Sequence, residues 1–340
     1  MELLVKKVGM VTPVGFNGRA SLAAMRAGIR NAVQTNIWDG ESASYLPAGR
    51  VNLPHWWVGL GKLAELVAPA IGECLEAARP AAPERTALLL GVAPPDRPRR
   101  WEGLDSRLIG EIEFRLDCRF HPDSTVIAKD RTSVVTGLRK AQQLLARADV
   151  ECCIVAGVDS FVWSKMLHPY MDERRVLTPR NSNGFTPGEA GIACLVTRAT
   201  PREPGLRILS TGIAREESTI GSDRPLSGAG MTDAYRQALA ESKLGIEQVD
   251  YRITDLNGEH YRFLEASLAA MRLIRKPREK IFDIWHPIEY LGDIGAAIGP
   301  CLLGVALDAS QRGYAIGPTS LLHMSNDDGE RAAVIARYHP

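Results

Sequence analysis

Residues 129–160 contain the pattern in this chain that is most typical of a nucleophile site. A turn at its start leads into a helix with apolar residues at helical spacing, and a short apolar strand follows and ends at Gly157. Many α/β enzymes place a nucleophile where such a turn enters a helix, because the helix dipole stabilises an anion there. In this chain the position holds Arg131, which is a cation at every physiological pH.

Two roles are open to Arg131. It could bind an anionic group such as a carboxylate or a phosphate, or it could fill the vacated site and pair with a carboxylate of the chain. Because the dipole disfavours a lone cation at a helix start, we predict the second role. The partners we expect are Asp130, Asp255 or Asp293. Asp293 also opens a predicted helix over 293–309, where helix capping alone would explain an acid.

Thr132, Ser133 and Cys301 are the remaining nucleophile candidates. A hydroxyl attacks a carbonyl group only when an adjacent base accepts its proton. No histidine that aligns with the motifs described below remains to supply that base. His286 could in principle reach the site and His260 lies beside Glu259 at a helix start, but neither forms a triad or metal pattern with another residue of the sequence. We therefore expect structural roles for both histidines.

The composition indicates a globular protein without affinity for polyanions. Lysine plus arginine number 41 and aspartate plus glutamate 40, so the net charge of +1 gives no support for binding to nucleic acid or a membrane surface. Six cysteines without a Cys-x-x-Cys pair or zinc-like spacing predict buried, reduced thiols in a cytoplasmic protein, with no metal and no cofactor. No leader peptide and no membrane span are expected, because the apolar runs are too short.

Strands and helices alternate along the chain, which is typical of an α/β fold. A segment at 199–205, rich in proline and charge, divides the chain into halves at 1–200 and 205–340. Each half contains a small-residue turn, a buried helix and a strand in succession, at 131–158 and at 292–323. We therefore predict a tandem pseudo-repeat of α/β units, packed back to back as one integrated domain.

Local signals add four expectations. Pro69 is predicted to kink or break a helix over 60–78. Val51 is placed in a short strand, Trp56 and Trp57 in a surface or cap segment, and residues 161–180 in a long irregular excursion.

Four stretches resemble motifs of the β-ketoacyl synthases, which belong to the thiolase-like superfamily. Residues 8–15 (VGMVTPVG) resemble GxGVVTPLG, and residues 155–160 (VAGVDS) resemble VGGVDS. Residues 184–191 (GFTPGEAG) resemble GFVxGEGAG, and residues 295–297 (GAA) resemble the end of GHxxGAAG. The four occur in the family's order and cover both halves of the chain.

The resemblance implies a five-layered αβαβα fold, a homodimer and an active site where the halves meet. The family's chemistry uses a cysteine thiolate to accept an acyl group and two histidines to polarise the thioester and assist decarboxylation. By resemblance, the cysteine position falls on or beside Arg131, and the two histidines fall on Asn257 and Gly292. Thiolases have an asparagine at the position of Asn257, where it is an oxyanion donor, so Asn257 could bind a carbonyl group or be a turn residue.

We therefore expect a catalytically degenerate β-ketoacyl synthase with no catalytic residues, whose vestigial pocket contains Arg131, Thr132, Ser133, Asp255, Asn257 and Asp293. Such a protein would be a binding, scaffold or accessory subunit, as a homodimer or beside an active synthase, a carrier protein or a bacterial secretion component. The alternative is an active acyltransferase or condensing enzyme with a displaced nucleophile such as Ser133 or Cys301.

Overall fold

The computed structural model describes residues 1–55, 57–278 and 281–340. Trp56, placed above in a surface segment, lies outside the described residues. The first half of the chain forms these elements in order: β1 (Leu3–Val11), α1 (Gly18–Arg26), β2 (Ala32–Asp39), β3 (Ser44–Gly49), α2 (Leu60–Ala78), β4 (Thr86–Gly91), α3 (Leu104–Leu116), β5 (Thr125–Ile127), α4 (Ser133–Leu144), β6 (Cys152–Ser160), α5 (Ser164–Asp172) and β7 (Glu189–Arg198).

The second half begins after the turn at 199–204. It forms these elements in order: β8 (Gly205–Arg215), α6 (Ala229–Ser242), β9 (Tyr251–Thr254), α7 (His260–Leu273), β10 (Ile284–Trp285), α8 (Ile288–Leu291), α9 (Ile298–Gln311), β11 (Thr319–Ser325) and β12 (Glu330–His339). Short 3-10 turns at Asp130–Thr132 and Gly295–Ala297 lead into α4 and α9.

The strands of the two halves have the same order. The first half has β1-β7-β6-β4-β5 and the second half has β8-β12-β11-β9-β10. In each half the last strand is antiparallel to its two neighbours, and the remaining pairs are parallel. A short antiparallel ladder between β1 and β8 joins the two sets into one ten-stranded sheet.

The elements are stacked in five layers, αβαβα. Helix α2 covers β1, β6 and β7, and α3 lies beside it against β5, while α6 covers β8 and β12 and contacts α7. Helices α4 and α9 form the middle layer, and α9 contacts strands of both halves. Strand β6 is buried along all nine residues because helices cover both of its faces, as its apolar sequence predicts. The central core is thus shared by both halves.

Several local expectations were wrong. Val51 follows a β-hairpin formed by β2 and β3, and is not itself in a strand. Helix α2 runs through Pro69 without a break, because Pro69 lies on its exposed face while the opposite face packs on β1 and β7. Residues 161–180 contain α5, whose Met166, Leu167 and Tyr170 pack in an aromatic cluster beside the hairpin.

The helix expected over 293–309 starts later, at Ile298, after the 3-10 turn Gly295–Ala297. Asp293 therefore lies outside that helix, and capping does not explain it fully.

In the described part of the chain, every helix is too short or too polar to cross a lipid bilayer. All six cysteines are unpaired thiols.

Candidate functional site

The loops that follow the carboxyl ends of β4, β6, β9 and β11 meet between the two halves. In open α/β sheets this edge is where ligand sites form. Here the loops and adjacent helix starts bring together a cluster of ionic side chains, which we call the buried ion network. Its members are four arginines and six acids: Arg97, Arg131, Arg175, Arg262, Asp130, Asp159, Asp255, Glu259, Asp293 and Asp327.

Arg131 lies at the centre of this network, in the 3-10 turn before α4, and is 2% exposed. Its Nη2 donates to Oδ2 of Asp293 at 2.6 Å, and its Nη1 donates to Oδ2 of Asp130 at 3.2 Å. Burial opposes the charged guanidinium, but Asp293 and Asp130 outweigh burial and raise the pKa of Arg131 well above its ordinary value. The side chain is thus a permanent, paired cation.

Asp293 joins Arg131 to the second half of the site. Its Oδ2 also accepts from Nδ2 of Asn257 at 2.8 Å, and its Oδ1 accepts from the backbone N–H of Gly295 at 3.0 Å. Burial disfavours its ionisation, yet Arg131 and Arg262 outweigh burial and lower the pKa of Asp293. The contact with Gly295 has the form of a cap, but the ion pair with Arg131 is an additional role.

Asn257 also shapes the turn between β9 and α7. Its Oδ1 accepts from the backbone N–H of Glu259 at 3.2 Å, while its Nδ2 donates to Oε2 of Glu259 at 3.0 Å in addition to Asp293. Both donors of the amide are therefore directed at carboxylates of the chain, and Asn257 is 6% exposed. An oxyanion donor must instead direct a free N–H at a substrate oxygen.

On the other side of Arg131, Asp130 contacts a second arginine. Oδ2 of Asp130 accepts from Nη2 of Arg97 at 2.8 Å, and Nη1 of Arg97 lies 3.2 Å from Oδ2 of Asp159. Asp159 stands at the end of β6, and its Oδ1 accepts from the backbone N–H of Ser160. Asp130 has a positive φ of 47°, which is uncommon for a residue with a side chain.

The remaining members form a second group around α7. Arg175 donates to Glu259 at 2.7 Å and to Asp327 at 2.8 Å. Arg262 donates to Glu259 at 3.1 Å and to Asp327 at 2.7 Å. Asp255 lies 3.6 Å from Arg262 and accepts from the backbone N–H of Ser325, so this acid does not pair with Arg131.

Six carboxyl groups against four guanidinium groups leave a formal excess of two negative charges. Burial raises the pKa of Asp159 and outweighs the attraction of Arg97. Burial likewise raises the pKa of Asp255 and outweighs the attraction of Arg262. Protonation of these two acids would balance the network.

The nucleophile candidates have local partners. The Thr132 hydroxyl donates to Oε1 of Glu330 at 2.6 Å, and the Ser133 hydroxyl donates to the carbonyl oxygen of Ile127 at 2.9 Å. Both side chains are buried. Burial raises the pKa of the Cys301 thiol to about 12, and Cys301 has no exposed surface.

Gly292 lies in the turn between α8 and the second 3-10 turn. Its φ of 75° and ψ of 178° fall in a region that is essentially confined to glycine. A Cβ atom added there would lie 2.6 Å from the carbonyl oxygen of Pro187. No residue with a side chain, histidine included, fits this position unless the backbone moves.

Two pockets of about 300 Å³ each flank Arg131. The first, which we call the Gly292 pocket, is lined by Asn257, Gly292 and His286 among others. The second, which we call the Asp130 pocket, is lined by Asp130 and Arg97 among others. Hydrogen bonds through Arg131 and Asp293 connect Asp130, which lines the second pocket, to Asn257, which lines the first.

The structure thus brings Asp293 into contact with both Arg131 and Asn257, with Thr132, Ser133, Asp255 and Gly292 nearby in the chain's site loops. His286 reaches the Gly292 pocket, whereas His260 is exposed at the start of α7.

Sequence reasoning missed six members of the site: Arg97, Asp159, Arg175, Glu259, Arg262 and Asp327. Four of them share one signal, a charged residue at or within a few positions of a strand's carboxyl end. Arg97 follows β4, Asp159 lies at the end of β6, Glu259 follows β9 and Asp327 follows β11. Arg175 and Arg262 carry no such signal. Within 1–55, 57–278 and 281–340, no three His, Cys, Asp or Glu residues are arranged to hold a metal ion.

Comparison of the whole structure with solved structures identifies the fold. A chain of a ketosynthase in complex with its chain length factor from Xenorhabdus doucetiae superposes with a TM-score of 0.78 and 15% identity, over 99% of this chain and 98% of that chain. The chain has the ketosynthase fold. An oxazolomycin ketosynthase domain from Streptomyces albus JA3453 gives a TM-score of 0.82 and 12% identity, over 100% of this chain and 75% of that one.

A further neighbour is the ishigamide ketosynthase/chain length factor, with a TM-score of 0.70, 20% identity and complete coverage of both chains. No protein-family model matches the sequence, and no curated protein matches it. The ketosynthase resemblance noted from the sequence is confirmed at the level of the fold, as is the thiolase-like five-layered architecture.

Proposed function

We propose that this chain is a non-catalytic ketosynthase-like protein that is a binding or accessory subunit. The observation that carries the proposal is the ion pair between Arg131 and Asp293. By resemblance, Arg131 stands where the family's acyl-accepting cysteine would be. A guanidinium group fixed as a cation has no electron pair with which to attack a thioester.

The two positions that correspond by resemblance to the family's histidines, Asn257 and Gly292, support the same proposal. Asn257 directs its amide donors at Glu259 and Asp293, so neither donor is free for a substrate oxygen. At Gly292 the backbone conformation and the contact with Pro187 exclude an imidazole. A family member without a nucleophile and without oxyanion donors keeps only its surfaces and pockets for function.

A protein partner suits such a subunit. One similar structure is a ketosynthase in complex with its chain length factor, and another is a type II carrier protein in complex with its ketosynthase. By analogy, our proposal extends to a ketosynthase-like dimer, formed with a second copy of this chain or with an active synthase. A carrier protein or a secretion component is an alternative partner.

Incubation with malonyl and acyl thioesters tests the loss of chemistry. We expect no acyl adduct by intact mass and no decarboxylation above the rate without protein, while an active ketosynthase treated in parallel shows both. A stable adduct that maps to Thr132, Ser133 or Cys301 would overturn the proposal and establish the displaced-nucleophile enzyme.

The accessory role needs a separate measurement. Light scattering on the purified chain, alone and mixed with a ketosynthase and a carrier protein of the same host, gives the mass of each assembly. A stable dimer or a mixed complex is expected. A chain that stays monomeric in every mixture would contradict the accessory role even if the acylation assay is negative.

A further inference from the structure

We propose that the outward face of α7 docks an amphipathic helix of a partner protein, and that acidic side chains flank the apolar face of that helix. The inference rests on the accessory role proposed above and adds the chemistry of the partner. Three features of α7 carry it: an exposed apolar row, a small residue in the middle of that row, and a cluster of basic residues at its end.

Helix α7 presents apolar residues on two faces. Ala269, on the inner face, is buried in one core cluster with residues of α6. On the outer face, Phe263, Leu264 and Met271 are 38%, 53% and 72% exposed. Leu264 and Met271 are two helical turns apart and therefore lie on the same side of the helix, with Phe263 in the adjacent row. An exposed apolar row with polar residues around it marks an interaction surface.

Ser267 leaves a hole in the middle of this row. It lies three residues after Leu264 and four before Met271, which is the spacing of a helix–helix seam. Its hydroxyl donates to the carbonyl oxygen of Phe263 at 2.8 Å, so the hydroxyl proton already has an acceptor. A small residue between large apolar ones accommodates a side chain of a second helix. The shape of the face therefore favours a helix over a lipid surface.

The exposed charges at the end of this row are positive. Arg272, Arg275 and Lys276 are exposed, and none of them has a salt bridge with another residue of the described ranges 1–55, 57–278 and 281–340. The one acid inside α7, Glu265, is 1% exposed and pairs with Arg331. It therefore contributes no charge to the outer face.

Beyond the end of α7, two acids offset part of this charge. Glu247 and Asp250 line a groove together with Arg275, Lys276 and Arg278. Three cations against two acids still leave positive charge in excess, and Arg272 adds to it. Charge complementarity therefore calls for acids on the partner. A second copy of α7 would bring like charges together, so this face disfavours self-association.

A designed helical peptide of about 20 residues is the probe, with leucine at heptad positions a and d and glutamate at e and g. Fluorescence anisotropy of the labelled peptide, titrated with the full chain, measures its binding. We expect saturable binding that weakens as the salt concentration rises. A peptide with lysine in place of every glutamate should not bind, because the cations of α7 repel it.

Two double variants test the apolar row. Leu264→Gln/Met271→Gln should weaken binding of the acidic peptide about tenfold or more, because two anchors of the seam are lost. Phe16→Gln/Phe114→Gln is the matched control, since it replaces two exposed apolar side chains outside α7. The control should bind the peptide as the wild type does.

Two further variants test the charge. Arg272→Gln/Lys276→Gln should weaken binding about three- to tenfold and reduce its dependence on salt. Arg19→Gln/Arg202→Gln removes two exposed cations elsewhere on the surface and should leave both quantities unchanged.

Vesicles of phosphatidylglycerol and phosphatidylcholine test the other class of partner. Cosedimentation of the chain with these vesicles, without binding of the acidic peptide, would assign the face to a membrane and overturn the proposal. Binding of neither probe, equal binding of both peptides, or equal losses in the α7 variants and their controls would also overturn it. These titrations involve neither acyl transfer nor the mass of an assembly, so their failure is distinguishable from failure of the accessory role.

Discussion

At the scale of single residues, the site is governed by the energetics of buried charge. Arg131 and Asp293 are both almost completely excluded from solvent, and each satisfies the charge of the other at 2.6 Å. A buried pair contributes little relative to an apolar pair of the same volume, but breaking it leaves an uncompensated charge in the interior. The effect of a substitution therefore depends on which member of the pair is left behind.

Arg131→Met should lower the free energy of unfolding by about 3–5 kcal/mol, because Asp293 is left buried without its cation. Arg131→Met/Asp293→Asn should recover a large part of this loss. Urea unfolding at pH 7 measures both variants. Arg236→Met, which breaks an exposed pair with Asp233, is the control and should have almost no effect. Equal losses in the single and double variants would contradict the role of the buried pair.

The pKa of Asp293 predicts a stability difference that depends on pH. Because the folded state lowers its pKa, ionised Asp293 contributes stability above its unfolded pKa, and this contribution is lost as the pH falls through the folded pKa. The difference in unfolding free energy between wild type and Asp293→Asn should therefore be constant from pH 7 to pH 5 and decrease at pH 3.5. Urea unfolding at the three pH values measures it.

Asp255→Asn is a control for which we expect the opposite dependence of stability on pH. The folded state raises the pKa of Asp255, so this acid contributes most stability below its unfolded pKa and loses that contribution as the pH rises through the folded pKa. The difference between wild type and Asp255→Asn should thus decrease as the pH rises from 3.5. If the stability difference changes with pH in the same direction for both variants, the pKa shifts of Asp293 and Asp255 do not govern stability.

At the scale of elements, short turns before the middle helices determine what the site can hold. The turn at Gly292 passes so close to Pro187 that a side chain is excluded, and the next turn places Asp293 against Arg131. The backbone of this segment therefore excludes histidine, and any other residue with a side chain, from position 292.

Gly292→Ala should destabilise the protein by about 3 kcal/mol or more, since it adds backbone strain to a close contact. Gly28→Ala is the matched control, because Gly28 has a similar φ of 72° and open space around it. The control should lose only about 1 kcal/mol. Thermal and urea unfolding compare the two variants. Equal losses would show that the contact with Pro187 does not constrain this turn.

At the scale of the whole molecule, the central hydrophobic core contains residues of both halves. Helix α9 packs on strands of both halves, and Gly157 of β6 lies so close to the second half that an added Cβ would be 2.1 Å from the carbonyl oxygen of Ala296. The buried ion network crosses the same boundary through Arg131 and Asp293. Neither half has a complete core or site by itself.

Cleavage of the chain in the exposed turn between Pro201 and Arg202 should therefore give fragments that fold only together. Coexpressed fragments with different tags should copurify and unfold in a single urea transition. Each fragment expressed alone should be insoluble or unfolded, because the surface of the middle layer is exposed. A fragment 1–201 that folds alone would show that the halves are independent domains.

The period of the apolar residues predicted alternating buried strands and helices, and the resemblance to β-ketoacyl synthases implied their layered arrangement. Through that resemblance the sequence also singled out Arg131 and Gly292, because a residue type fixes which chemistry is available. It could not predict the hairpin formed by β2 and β3, the passage of α2 through Pro69, or helix α5. These depend on which face of each segment meets a distant neighbour.

Only the tertiary structure decided which of three acids pair with Arg131. Asp293 and Asp130 contact it, while Asp255 is held by Arg262 and Ser325. The pairing with Asp293 depends on the distance between two loops that are 162 residues apart in the chain, and no local pattern encodes such a distance. The sequence specifies which charged residues are present, whereas the packing of the two halves determines which of their charges pair.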